Sequence, residues 1–268
     1  MAPPAATSWH ARLRRLSRSR ADRTATGFFV IDGPLLVRDA LGAGVELEGL
    51  WVETGLHDEL AGAAEAAGVA VHVVPPNGVA RYRLSDLVTP QGVVALARQP
   101  ATTLDDVIDR NLLLVLVGVG DPGNAGTLLR SAEATGVGAV LFCEGSVDPF
   151  SPKCVRASAG SIFHVPVVSA GGPTEVLERI GASGARRLAT SAHRGDPYDE
   201  ADLAGRIALV LGSEAHGLPA DLERLLDATV HVPMAGRTES LNVAVAGSVL
   251  LFEAARQRRR SVAPGSVR

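Results

Sequence analysis

Two runs of consecutive aliphatic residues, LLLVLVG at 112–118 and IALVL at 207–211, constrain the architecture more tightly than any other feature of the sequence. A strand with one face in water alternates apolar and polar residues. A strand without alternation is covered on both faces, the condition inside a parallel sheet flanked by helices. The segments around these runs keep the same rhythm: AEATGVGAVLFC, IFHVPVV, RRLATS and TVHVPM are strand-like pieces separated by helical stretches. The C-terminal part therefore reads as an α/β unit with a parallel sheet. A long apolar helix, SLNVAVAGSVLLFEAARQ (240–257), closes it. Its first three turns are apolar almost all round, which requires a second covering surface besides the sheet, and a subunit interface is the expected one.

A smaller α/β unit precedes it. FFVID (28–32), LEGLWVE (47–53) and VAVHVV (69–74) read as strands, PLLVRDALGAG (34–44) and HDELAGAAEAAG (57–68) as helices ending in glycine. LVTPQGVVALA (87–97) holds a turn with Pro90 and Gly92 and then a fourth strand. The expected divisions are a flexible basic arm over 1–23, a small domain over 24–98, a linker over 99–110, a larger domain over 111–260 and a tail over 261–268.

With 46% hydrophobic and 21% charged residues in 268, the chain is neither disordered nor collagen-like. Cys143 and Cys154, its two cysteines, make no disulfide framework and no tetrahedral metal set, so the expectation is a reducing compartment and no metal. No apolar stretch reaches the ~20 residues a membrane helix needs. The Arg-rich N-terminus lacks the apolar core of a secretory signal, and a soluble cytoplasmic protein is expected. The net charge of −3 is unevenly spread: Arg12, Arg14, Arg15, Arg18, Arg20 and Arg23 crowd one end, Arg256, Arg258, Arg259 and Arg260 the other. Such ends point to a polyanionic partner.

Three loops carry chemistry-bearing residues. GVGDPG (118–123) follows the first apolar strand and matches the dinucleotide pattern, with Glu144 placed 21 residues beyond Gly123. Asp-Pro-Gly-Asn (121–124) is a turn sequence, however, which puts the third glycine in a loop rather than at a helix–strand contact. An NAD-dependent oxidoreductase is therefore only a distant alternative. In the helix that follows, Ala125, Leu128, Leu129 and Ala132 form the apolar stripe; Asn124 is a candidate cap and Arg130 lies off the stripe. LGSEAHGL (211–218) has glycines at 212 and 217 that allow close backbone approach, while Glu214 and His216 either carry chemistry or cap the turn. In HVPMAGRTESLNVAVAG (231–247), Ser240 is a candidate cap for the closing helix. Asn242 enters an apolar turn and would need partners if buried.

Together these segments resemble the SpoU branch of the SPOUT-class RNA 2′-O-ribose methyltransferases. DPGNAGTLLRSAEATGVGAVLF (121–142), LVLGSEAHGL (209–218) and VPMAGRTESLNVAVAGSVLLFEAARQR (232–258) resemble its three motifs in order and spacing, and SPKCVRASAGSIFHVPVV (151–168) fits between them. The likeness covers roughly residues 111–258. FFVIDGPLLVRDAL and TPQGVVALA are similar to the small ribosomal-protein-like RNA-binding module that often precedes such a domain. The resemblance implies an S-adenosylmethionine-dependent enzyme, a homodimer, and a C-terminal trefoil knot that general rules of chain topology would exclude. By position, Gly212, Val232 and Leu241 correspond to cofactor contacts, with Gly217 and Met234 shaping the pocket. Asn124, Arg130, Glu214, Ser240 and Asn242 match the polar active-site positions. The implied reaction is methyl transfer to a ribose 2′-hydroxyl, in ribosomal RNA by preference and in transfer RNA as the alternative; a non-catalytic RNA-binding protein is more distant. A guanidinium stays protonated, so Arg130 is expected to hold a phosphate and stabilise the alkoxide rather than act as base. Glu214 would orient Arg130 or Asn124, and Ser240 and Asn242 would fix the loop and the substrate.

Overall fold

The structure, a computed structural model, describes residues 6–85 and 87–261. It divides into two compact units, one built from the chain up to Ala101 with Phe150–Phe163, the other from Thr102–Pro149 and the chain from His164 onward.

The first unit opens with helices α1 (Ala6–Arg18) and α2 (Arg20–Thr26). β1 (Phe28–Asp32), α3 (Pro34–Gly42), β2 (Leu47–Glu53), α4 (Asp58–Ala66), β3 (Ala70–Val74), the short α5 (Gly78–Arg81) and β4 (Val93–Arg98) follow. The four strands form one sheet in the order β1-β4-β2-β3, with β4 antiparallel to both neighbours and β2 parallel to β3. Leu13 and Leu16 of α1 pack with Phe28, Val30, Trp51, Val94 and Leu96, while α3 and α4 bury Val37, Ala40, Leu60 and Ala64. The flexible arm expected over 1–23 is thus corrected across its described part. Trp9, Leu13 and Leu16 fall at i, i+4 and i+7 and give the Arg-rich segment an apolar stripe, so burial on the sheet orders it as a helix. Arg23 is itself buried and donates to the Leu16 carbonyl.

In the second unit α6 (Leu104–Val107), β5 (Leu112–Leu116), α7 (Pro122–Thr135) and β6 (Ala139–Phe142) come first. The chain then gives α8 (Pro152–Ala157) to the first unit, where Phe150 packs on Phe29 at 5.0 Å and Arg156 faces Asp32 at 3.8 Å. The expected continuous domain over 111–260 is therefore interrupted at 150–163. β7 (Val167–Ser169), α9 (Pro173–Ala182), β8 (Arg186–Ser191), the two-residue β9 (Asp196–Pro197), β10 (Ile207–Leu211), β11 (Ala228–His231) and α10 (Val243–Ser261) complete the unit.

All seven strands are parallel, in the order β7-β6-β5-β10-β8-β11-β9. Every residue of β5, β6 and β10 is buried, as unbroken aliphatic runs require. Leu113, Val115, Ala208 and Val210 face Val176, Leu177 and Ile180 of α9. On the other face α10 packs on α7, where a Cβ on Gly247 would come within 2.6 Å of Leu128 and 2.7 Å of Leu211. The expected linker over 99–110 is corrected from Leu104 on: Leu104 and Val107 join this core, Thr103 and Asp106 form a capping box, and Arg206 pairs with Asp109 at 2.6 Å. Three apolar positions in that stretch reach the core, Ile108 only in part, too few to show as a period. Of the expected tail, all but Ser261 lies outside the described residues.

Candidate active site

The carboxyl ends of β8, β10 and β11 meet around a cavity of about 740 Å³. This is where open parallel sheets place ligands, because the loops that leave adjacent strand ends diverge and open a crevice. The wall after β10 is a tight loop: the Ser213 and Gly217 amides and carbonyls exchange two 2.9 Å hydrogen bonds, and Gly217 adopts φ +67°. A Cβ on Gly212 would collide with the backbone of Gly217 and Leu218, so the loop can close only over glycine. Gly212, Gly217, Val232, Met234 and Leu241, the five residues expected to contact a cofactor, all line this cavity, as do Glu214, Ser240 and Asn242.

Asn124 does not line the cavity but is tied to two residues that do. Its Nδ2 donates to Glu214 Oε1 at 2.9 Å, and its Oδ1 accepts from Asn242 Nδ2 at 2.9 Å. Asn242 Oδ1 in turn accepts from the amides of Ala244 at 2.8 Å and Val245 at 3.3 Å. The polarity of this chain has one solution. An ionised carboxylate only accepts, so Asn124 must present its NH₂ to Glu214; its carbonyl then faces Asn242, whose own carbonyl is left for the start of α10. Asn242, not Ser240, therefore caps the closing helix, which begins three residues later than its apolar pattern indicates. The backbone amide of Asn124 donates to Asp121, which caps α7 at 2.8 Å.

Glu214 also accepts from the amides of Gly120 at 3.2 Å and Asp121 at 3.3 Å. Burial acts to raise its carboxyl, but the hydrogen bonds from Asn124 and these backbone amides outweigh it and hold the group below the usual carboxylate range. The same contacts decide the glycine-rich GVGDPG loop. The amides that would cradle a pyrophosphate are taken by an internal carboxylate.

Arg130 stands apart: it is exposed on α7, with no hydrogen-bond or ion-pair partner among the described residues. No bond links it to Glu214, so of the two groups Glu214 was expected to orient, it holds Asn124. Ser240 is exposed at the cavity wall. His216 lines the cavity through a turn in which its amide donates to Ser213 Oγ at 3.1 Å.

The motifs did not single out the wall formed by Thr190, Ser191, Ala192 and Arg194 at the end of β8, or by Asp227, Ala228 and Thr229 at the start of β11. The signal was there in the small and turn-forming residues ATSAHRG (189–195), which end a parallel strand and lead out of it. Arg194 pairs with Glu223 across this wall at 2.9 Å. Asp227 receives Arg187 in a two-pronged pair with both contacts at 2.9 Å, which lowers its carboxyl and ties β11 to β8.

Residues 111–252 match the SpoU rRNA methylase family, and residues 12–95 match an MRM3-like substrate binding domain. The 23S rRNA (guanosine(2553)-2′-O)-methyltransferase RlmP of Bacillus subtilis is 34% identical over 236 residues, 87% of this chain and 91% of that protein. An AdoMet-bound rRNA methyltransferase from Sinorhizobium meliloti aligns with a TM-score of 0.83 at 30% identity, over 96% of this chain and 97% of the other. The SpoU methyltransferase AviRb from Streptomyces viridochromogenes, solved in complex with the cofactor AdoMet, aligns with a TM-score of 0.83 at 29% identity, over 94% and 99% of the two chains.

Proposed function

The chain belongs to the SpoU rRNA methylase family, and from that premise we propose that it transfers the methyl group of S-adenosylmethionine to a ribose 2′-hydroxyl of ribosomal RNA. The observation that carries this reading is the cavity at the strand ends, bordered by the hydrogen-bonded chain Glu214–Asn124–Asn242. Its volume of about 740 Å³ lies within the ordinary span of small-molecule sites. The walls suit a cofactor without phosphates. Glycine brings backbone close, Val232, Met234 and Leu241 offer apolar surface, and the amides nearest to a phosphate cradle are already occupied by Glu214. Ribosomal RNA is preferred to transfer RNA because RlmP of Bacillus subtilis and the Sinorhizobium meliloti methyltransferase, which align over 87% and 96% of this chain, are named for ribosomal RNA.

When bound, S-adenosylmethionine supplies an electrophilic methyl group on a sulfonium, open to in-line attack. Gly212, Gly217, Val232, Met234 and Leu241 would hold it. Arg130, always charged and without a partner among the described residues, binds the phosphate next to the target ribose and stabilises the developing alkoxide. Glu214, ionised and engaged by three hydrogen-bond donors, is a poor proton acceptor; it fixes Asn124 and the 120–121 turn instead. Asn242 couples that turn to the start of α10, and Ser240 presents a hydroxyl to the substrate side. The value of these contacts is positional, since misplacement of reacting groups by about 1 Å costs on the order of a hundredfold in rate.

The reading includes a trefoil knot and a homodimer. The insertion of β10 between β5 and β8, with α10 then returning from β11 to pack on α7, supports the first. Val245 and Phe252, 49% and 52% exposed on α10, support the second. A cytoplasmic setting goes with a ribosomal substrate, and no helix of the described residues is long and apolar enough to cross a membrane. Titration calorimetry tests the cofactor assignment: S-adenosylmethionine is expected to bind and NAD to give no heat. Binding of NAD without S-adenosylmethionine would overturn it.

A further inference from the structure

The chain contains two tryptophans, and both belong to one ring cluster in the first unit. Trp51 of β2 stacks on Trp9 of α1 at 5.3 Å and on His72 of β3 at 4.9 Å. Tyr82, just past α5, meets Trp9 edge-on at 6.2 Å and His10 at 4.2 Å. The cluster runs from core to surface: Trp51 is buried among Leu13, Phe28 and Leu96, Trp9 and Tyr82 are half-buried, and His72 is exposed.

Packing alone does not account for this composition. The ring nitrogens Trp51 Nε1 and His10 Nε2 are buried without a hydrogen-bond partner among the described residues, a cost that aliphatic side chains would avoid. Charge gathers beside the rings as well. Four arginines of this unit meet acids: Arg12 pairs with Glu48, Arg15 with Asp22, Arg98 with Glu46 and Arg156 with Asp32. Arg14, close enough to His10 to influence it, and Arg81 and Arg83, which flank Tyr82, are exposed and have no acidic partner among the described residues. Unneutralised guanidinium groups beside stacked rings have the chemistry that holds unpaired nucleotides, with charge for the phosphates and ring faces for the bases.

We propose that His72 and Tyr82, backed by the tryptophan stack and flanked by Arg14, Arg81 and Arg83, form the surface on which the first unit stacks unpaired nucleotides of its RNA. The assignment rests on the reading of the protein as a ribosomal RNA methyltransferase and names residues, none of them lining the methyl-transfer cavity, with which the first unit grips the substrate. It commits to single-stranded elements, because the faces of paired bases are not available to a side chain.

The full-length protein provides its own reporter, since neither tryptophan lines the cofactor cavity. Unmodified 23S ribosomal RNA is titrated into the protein while tryptophan emission is followed, and affinity is measured in parallel by filter binding. The expected result is quenching on RNA addition, about tenfold weaker binding for His72→Ala, and near-complete retention by His72→Phe, which keeps a ring without the imidazole. S-adenosylmethionine affinity stays unchanged in both variants. The inference requires quenching and the alanine–phenylalanine difference together. RNA binding with unaltered emission, or with equal affinity in His72→Ala, overturns it and leaves the methyltransferase reading intact. Absence of RNA binding and of methyl transfer by the wild type overturns both.

Discussion

At the scale of single residues, the site is organised by which groups can donate and which can only accept. Asn242 serves two masters: its carbonyl caps α10 and its amide nitrogen holds Asn124. The two roles separate by substitution. Asn242→Ala is expected to cost about 1 kcal/mol of stability through the lost cap and about a hundredfold in rate through the released Asn124. Asn242→Asp keeps a strong cap beside the helix N-terminus and so keeps the melting temperature, yet it loses the rate, because its carboxylate cannot donate to Asn124. Thermal unfolding and turnover measured on both variants check this, and equal loss of stability in the two would contradict it. Glu214 makes a second prediction. Its carboxyl is held below its ordinary value of 4.5, so the stabilisation it provides is complete at neutral pH and is lost as pH falls through the lowered value. The gap in melting temperature between wild type and Glu214→Gln should therefore be present at pH 7 and close below pH 4.5. Most of these residues were legible in the sequence as unusual polar groups at loop positions. Their connections were not: Asn124 and Glu214 are 90 positions apart, and only the pairing of β5 with β10 brings their loops together.

At the scale of elements, what the sequence displayed well was burial on two faces. The aliphatic runs at β5 and β10 have few other ways to be satisfied, and both are central strands. Short elements with mixed composition were harder to see. In α1 the apolar stripe of Trp9, Leu13 and Leu16 is thin and surrounded by arginines, so charge obscured the period. The basic ends also divide on inspection. Arg256 is engaged by Glu253, and Arg258 donates to the carbonyls of Asn111 at 3.2 Å and Gly205 at 2.7 Å, leaving Arg259 and Arg260 exposed. If α1 is a core element, Leu13→Ala should destabilise the protein by about 2–5 kcal/mol, as large-to-small changes at fully buried sites do. Arg14→Ala on the same helix should leave stability within about 0.5 kcal/mol of wild type. Chemical denaturation distinguishes the pair, and an unaffected Leu13→Ala would return the segment to the status of an arm.

At the scale of the whole molecule, neither alternation of strands and helices nor loop chemistry revealed that residues 150–163 belong with the first unit. That segment sits between β6 and β7 and reads as part of the larger domain. Its contacts, among them those of Phe150 with Phe29 and of Arg156 with Asp32, reassign it. The α10 surface carries the prediction for assembly. Wild type should sediment as a dimer at micromolar concentration, and Phe252→Asp, which puts a charge on a half-exposed apolar position, should shift it toward monomer; a monomeric wild type would contradict the assignment. The central claim, methyl transfer to a ribosomal RNA ribose, is tested by incubating the protein with methyl-labelled S-adenosylmethionine and unmodified ribosomal and transfer RNA in parallel, with Arg130→Ala as control. The account predicts label in ribosomal RNA, in an alkali-resistant linkage diagnostic of a 2′-O-methyl group, and its loss in the variant. Label on a base, label that persists in Arg130→Ala, or no label in ribosomal RNA despite cofactor binding would contradict it.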